Sequence, residues 1–362
     1  MGKTFSARRI LVALTSTIAL MAIVPTPASA QFASGLQPED AFNHYLTASA
    51  DGERLYSAAT NCDSLPPPCD QVLFESTDGG TTWEQLPARL FDGHKILIPP
   101  DAADQRIFAL AAGNLQVSED GGQTFRPTAP AFQAVSAAIS PAFNEGDPTF
   151  LIGGTPTTMY NDETHVVTPL PGVLSVGPSN PAFSPGYPDD SRLFFGHNVL
   201  GDEPNTIKGV VTVCVDHLVS CSTTEVGTFG PEIRFAPDFA EGGALYAFDQ
   251  RGVHVSNDGG ETFEDITPPE RATIWDFEVL DDGSLLVART FNPFQDPGAE
   301  GLFRSTDGGV SWTRVSSPML DVGVFSLAAG GDTVVAALTS PGLGDEVVCS
   351  DDGGLTWASR CP

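Results

Sequence analysis

Short apolar segments recur along the chain, separated by polar breaks rich in Gly and Asp. Seven of them, residues 55–58, 107–110, 150–152, 193–195, 245–248, 285–288 and 334–337, read as strands bounded by turn residues. A further strand-like segment precedes each, such as residues 45–48 and 324–328. Four strands in about 47 residues is the size of a propeller blade. Such a sheet cannot bury both faces alone, so neighbouring blades must supply the core. The expected fold is all-β, a seven-bladed β-propeller of four-stranded antiparallel blades.

A second pattern gives the same count. The motif S-x-D-G-G-x-[TS]-[WF] begins at Ser76, Ser118, Ser256, Ser305 and Ser350. The interval from Ser118 to Ser256 has room for two hidden copies. In that register Tyr160-Asn161-Asp162 and Cys214-Val215-Asp216 keep the Asp, and Cys221 stands where the aromatic belongs. The motif is expected on the hairpin between the third and fourth strands. Gly-Gly allows positive φ, and the Ser and Asp side chains accept hydrogen bonds from turn amides. The ring that follows is expected to anchor the turn by burial. The structural residues are then Asp78 and Trp83, Asp120 and Phe125, Asp258 and Phe263, Asp307 and Trp312, and Asp352 and Trp357. One Asp per blade is too dispersed to share an ion, so neither a metal site nor a cofactor is expected.

This motif resembles the Asp-box, or BNR, repeat of sialidases, sortilin-type receptors, certain xyloglucanases and photosystem II assembly-factor-like propellers. The resemblance runs from about residue 42 to 362 and implies a propeller; the family is functionally mixed, so it implies no single activity. A sialidase-like enzyme would need three Arg residues on a carboxylate, a Tyr nucleophile with a Glu partner, and an acid for proton transfer. In that family the first Arg lies in an R-I-P-type segment before the first box. Here residues 42–47, Phe-Asn-His-Tyr-Leu-Thr, fill the place without one. Arg54 is the only Arg of residues 31–75, and it is expected to point to the box face.

Residues 1–30 have a basic start, an apolar stretch from Ile10 to Val24, and Ala28-Ser29-Ala30 before Gln31. They read as a secretory signal peptide, followed by one propeller over residues 31–362. The mature chain is expected to be extracytoplasmic, monomeric and without a transmembrane segment. Of the 362 residues, 17 are Lys or Arg and 46 are Asp or Glu, a net charge of −29. That field repels nucleic acid and anionic membranes as main partners. Six cysteines fall in close pairs, Cys62/Cys69, Cys214/Cys221 and Cys349/Cys361. In an oxidising compartment these are expected as local disulfides, with Cys214–Cys221 closing the hairpin that lost its Gly-Gly.

Antiparallel connectivity sends successive turns to alternate faces. The long inserts 60–71, 196–209, 289–301 and 339–346 therefore lie opposite the motif turns, where function usually resides. Connections between blades reach the same face and bring Arg89, Arg271 and Trp275 towards Arg289, Phe291 and Phe294. Of these, Arg89, Arg271, Trp275, Arg289 and Phe294 are candidate ligand-binding residues, as guanidinium groups and rings suit a sugar or a carboxylate. No catalytic residue can be assigned. Three functions remain open: a secreted non-catalytic propeller binding a protein or carbohydrate ligand through this face, an exo-acting glycosidase of the sialidase-like group, and a cell-envelope assembly or scaffold factor.

Overall fold

Each of the seven apolar segments named above forms a strand, and the strands of the described residues assemble as seven consecutive antiparallel sheets around a central channel. The computed structural model describes residues 42–61, 70–91, 93–128, 132–171, 173, 175–203, 205–215, 220–270, 272–290, 299–339 and 347–359. The innermost strands, in blade order, are Phe42–Ala48, Gly93–Leu97, Ser136–Ile139, Asn180–Phe183, Glu232–Phe235, Thr273–Val279 and Gly323–Gly330. Six blades have four strands; in the seventh, a bridge between Cys349 and Ala358 stands in for the fourth. This is the seven-bladed β-propeller expected. The proposed signal segment and the start of the chain to residue 41 lie outside the described residues.

The core sits between blades. Seven apolar clusters each join two neighbours; one packs Phe108 and Leu110 of blade 2 against Phe150 and Ile152 of blade 3. Blade 1 meets blade 7 in the same way, with Leu46, Val72 and Phe74 against Ala328, Val335 and Cys349. No strand is exchanged across that seam among the described residues. Packing is not alone there, however. The Leu46 amide donates to Ser326 Oγ at 3.2 Å, and the Gly331 amide to the Ala50 carbonyl at 3.1 Å.

The motif turns are built as their chemistry suggests. In the first, the Gly80 amide donates to Ser76 Oγ (2.8 Å), while the Thr82 amide and hydroxyl donate to Asp78 (2.8 and 2.7 Å). The same pattern recurs at Asp120, Asp258, Asp307 and Asp352. Donation by the Thr124 hydroxyl and amide and by Ser118 holds the Asp120 carboxyl down at about 2. Trp83 is buried, whereas Phe125, Phe263, Trp312 and Trp357 are half-buried against the clusters. The second glycine also accommodates the preceding blade: a Cβ at Gly309 would stand 2.5 Å from Ile266.

The hidden copies differ from their sequence register. In blade 3 Asn161, not Asp162, takes the turn, accepting from the Thr164 amide and hydroxyl at 2.8 Å each. Asp162 instead pairs with Arg106 of blade 2 at 3.3 Å. In blade 4 the disulfide Cys214–Cys221 joins directly paired residues of the third and fourth strands. Cys349 is also disulfide-bonded, while Cys62, Cys69 and Cys361 lie outside the described residues. Replacing Cys214 and Cys221 by Ser is expected to lower unfolding free energy by about 2–3 kcal/mol, because so short a loop restricts the unfolded chain modestly. Denaturant titration checks this, and an unchanged midpoint would mean that the hairpin needs no staple.

Candidate functional site

Inner strands run from the face of the blade connections to the face of the motif turns, so their first residues ring the channel mouth on the loop-rich face. All seven blades contribute to a cavity of about 250 Å³ there, among them Tyr45, Lys95, Ser136, Asn180, Arg234, Asp276 and Phe325. Four inner strands, in consecutive blades 6, 7, 1 and 2, carry register irregularities: between Ile274 and Asp276, Val324 and Ser326, Phe42 and Tyr45, and Gly93 and Lys95. A bulge inserts a residue without a cross-strand partner and re-aims its side chain. Trp275 and Phe325 are such residues. Their rings meet at 4.9 Å, and Tyr45 meets Phe325 edge-on at 5.3 Å. The result is an aromatic rim spanning blades 6, 7 and 1, with Trp275 42% exposed.

Charged groups line the channel wall beside this rim. Arg234 stands among Glu232 (3.4 Å), Asp276 (3.5 Å) and Glu278 (3.5 Å). Asp276 also accepts from the Leu327 amide at 2.8 Å and the Phe277 amide at 2.9 Å, tying blade 6 to blade 7. Burial, with the repulsion of neighbouring carboxylates, raises the carboxyls of Asp276 and Glu278 above the ordinary range even against the pull of Arg234. Burial acts on Glu232 as well, but Arg234 and Lys95 outweigh it and hold this carboxyl low. Lys95 is pushed down by burial, partly offset by Glu232, Asp276 and Glu278.

The sequence-derived candidates are not gathered at this mouth. Trp275 lines it; Arg89 is exposed on Glu84–Phe91, the outermost strand of blade 1. Arg289 is wholly buried: its Nη2 donates to the Pro268 carbonyl at 2.8 Å, Nη1 lies 3.7 Å from Glu270, and its guanidinium covers Phe303. An Arg in that position braces the connection from blade 5 and presents no charge to a ligand. Arg271, Phe291 and Phe294 lie outside the described residues, as do most of the inserts in blades 1, 6 and 7. The insert 196–209 is largely an extension of the paired strands Leu193–Leu200 and Ile207–Val215. The Val210-Val211-Thr212-Val213 run that follows it favours a strand and carries the pairing outward. Arg54 is buried at the motif-turn face and donates to Tyr56 and to the Asp104 carbonyl.

No family model matches the chain, and no curated protein matches it. Solved structures do. A puromycin-hydrolysing peptidase of Mycobacterium tuberculosis is 15% identical, with a TM-score of 0.60 over 92% of this chain and 56% of that one. The β-propeller domain of the Trilobed protease from Pyrococcus furiosus, which has an open velcro topology, is 10% identical (TM-score 0.57, 89% and 97%). YCF48 bound to D1 peptide is 14% identical (TM-score 0.53, 89% and 97%). The likeness is one of fold. The chain spans little more than half the length of the peptidase. Among the described residues no helix is long and apolar enough to cross a membrane, and no group of three or more His, Cys, Asp or Glu is placed to hold a metal ion.

Proposed function

We propose that this chain is an exported, monomeric, non-catalytic propeller of the Asp-box type that binds a protein or glycan partner through its loop-rich face. The distribution of exposed apolar residues carries the reading. Among the described residues, Val135, Val176, Leu200, Ile207, Phe229 and Trp275 are exposed at that end of the blades, and of the large exposed hydrophobics only Val166, Val310 and Leu355 sit on motif-side turns. Val135 and Trp275 line the cavity, and exposed apolar surface at a concavity marks interaction sites. YCF48, a propeller of the same fold, is bound to a peptide. The cavity carboxylates gather around Arg234, which favours a structural role over an acid–base pair.

Two measurements test this. Extracellular proteins and glycans retained by the immobilised protein are expected to be lost from Trp275→Ala and kept by Leu355→Ala, which alters the opposite face. Retention equal in all three would sink the reading. Fluorogenic glycosides, a sialoside included, are expected to pass unhydrolysed; turnover abolished by Glu278→Gln would put a glycosidase in its place.

A further inference from the structure

The channel mouth combines two features that the partner-binding reading leaves unexplained: an aromatic rim and a wall whose charges do not cancel. Arg234 serves three carboxylates at 3.4 and 3.5 Å, longer than the ~2.7–2.9 Å of a tight charge-assisted hydrogen bond. One guanidinium is thus spread over three negative groups. Adding the Lys95 ammonium still leaves the five groups one negative charge in excess. The rings of Trp275, Phe325 and Tyr45 border the same cavity, and aromatic rings carry electron-rich faces. Their bulges repeat in adjacent blades, so the rim is a built feature of the fold and not a single misplaced side chain.

An aromatic face beside carboxylates that outnumber their cations is the pairing that recognises an organic cation. We propose that the channel mouth receives a cationic group of the partner, the ammonium or guanidinium of a side chain, held by the rings of Trp275, Phe325 and Tyr45 and the carboxylates of Glu232 and Asp276. This rests on the partner-binding reading and names what the partner must present. A cavity of about 250 Å³ admits one such side chain and excludes a folded element. The chain's net charge of −29 steers positively charged partners towards it. Glu278 lies behind Arg234 and adds to the negative field without facing the ligand directly.

Recognition of this kind depends on pH. The groups facing the ligand are Glu232 and Arg234 from blade 5, Asp276 from blade 6, Lys95 from blade 2 and the Tyr45 phenol from blade 1, with Glu278 of blade 6 behind Arg234. Asp276 and Glu278, both raised by burial, ionise only above the ordinary carboxylate range, so the excess negative charge is complete only towards neutral pH and above. Affinity for the cation therefore rises as pH increases from the ordinary carboxylate range towards neutrality.

Ligand-observed NMR titration of the whole protein with n-butylammonium, n-butylguanidinium, n-butanol and butyrate tests the proposal. The two cations are expected to bind at least ~10-fold more tightly than butanol, and about 5-fold more weakly at pH 5 than at pH 8. Trp275→Ala should weaken them ~5–10-fold and Glu232→Gln about 5-fold, with circular dichroism confirming that both variants fold. Lys95→Gln should strengthen them. Equal binding of butanol, no binding of any cation, or preference for butyrate that is lost in Lys95→Gln would overturn it. The partner-binding reading fails separately: if Trp275→Ala abolishes partner retention while cations show no preference, that reading stands and this inference falls.

Discussion

Gly52→Ala is expected to destabilise the protein by about 2–5 kcal/mol, the largest effect of any single methyl group added at the ring seam. Gly52 sits in the turn between the first two strands of blade 1 with φ of 73°, a left-handed conformation that costs an L side chain roughly 1–2 kcal/mol. Its Cβ would stand 2.2 Å from the Gly330 carbonyl oxygen, on backbone that cannot swing aside as a side chain can. Displacing it adds about 1–3 kcal/mol of overpacking. The damage falls where blade 7 meets blade 1 with no strand exchanged among the described residues, and it removes the close approach that lets Gly331 reach the Ala50 carbonyl. Gly330→Ala is the companion variant, because its Cβ would meet the Ser49 carbonyl at 2.1 Å without a positive φ. Denaturant unfolding and limited proteolysis read the outcome together. Wild-type midpoints in both variants would mean that the seam relaxes freely and contributes little to holding the ring.

The second large effect is expected from Arg234→Gln. It would leave Glu232, Asp276 and Glu278 facing one another on the channel wall with only Lys95 as a cation. Removing one partner of a buried charge group commonly costs 3–5 kcal/mol. Water reaches this wall, as Glu232 is 44% exposed, so about 2–3 kcal/mol at neutral pH is the appropriate expectation. The sign with pH follows from proton linkage. Without the guanidinium the folded-state carboxyls of Asp276 and Glu278 rise further. The folded variant then retains protons that the unfolded chain has released, and its stability falls as pH rises from the ordinary carboxylate range to neutrality. Below that range both states are protonated and the penalty shrinks. Unfolding free energies of wild type and variant at pH 4.5, 6 and 8 provide the test. A difference that stays constant over those values would show that the three carboxylates do not share one field.

Much of the architecture is legible in the order of residues because propeller blades are local structures. Each blade draws its strands from a contiguous stretch, so the period of the apolar segments reports the number of sheets directly. The Gly-Gly turns are legible for the same reason. Their hydrogen bonds close between residues two to four apart, as from Gly80 to Ser76 and Thr82 to Asp78. Cys214 and Cys221 sit seven residues apart across one hairpin, and their pairing needed no information from elsewhere in the chain. Blade 3 marks the limit. Once the Ser and Gly-Gly are gone, adjacent Asn161 and Asp162 can each serve the turn, and Arg106 from the neighbouring blade decides between them. The strand pattern also conceals a second repeat: residues 140–143, 184–187 and 236–239 place Phe143, Tyr187 and Phe239 into the core at the turns between the first and second strands of blades 3, 4 and 5.

The binding face is a different matter. Sequence reasoning placed function opposite the motif turns and picked out Trp275, but Arg289 looked as suitable and proved to be an internal brace. Tyr45, Lys95, Glu232, Arg234, Asp276 and Phe325 come from five blades, separated by tens to hundreds of residues, and meet only because the ring brings inner-strand starts to one mouth. Charged residues interrupting otherwise apolar inner strands were the available signal; which of them face one another depends on bulges that shift register by one residue. Short-range periodicity and turn chemistry thus determined the blade, its count and its turns. Closure of the ring decided the cavity, its aromatic rim and the sharing of one guanidinium among three carboxylates, because these depend on distances between blades that no local pattern encodes.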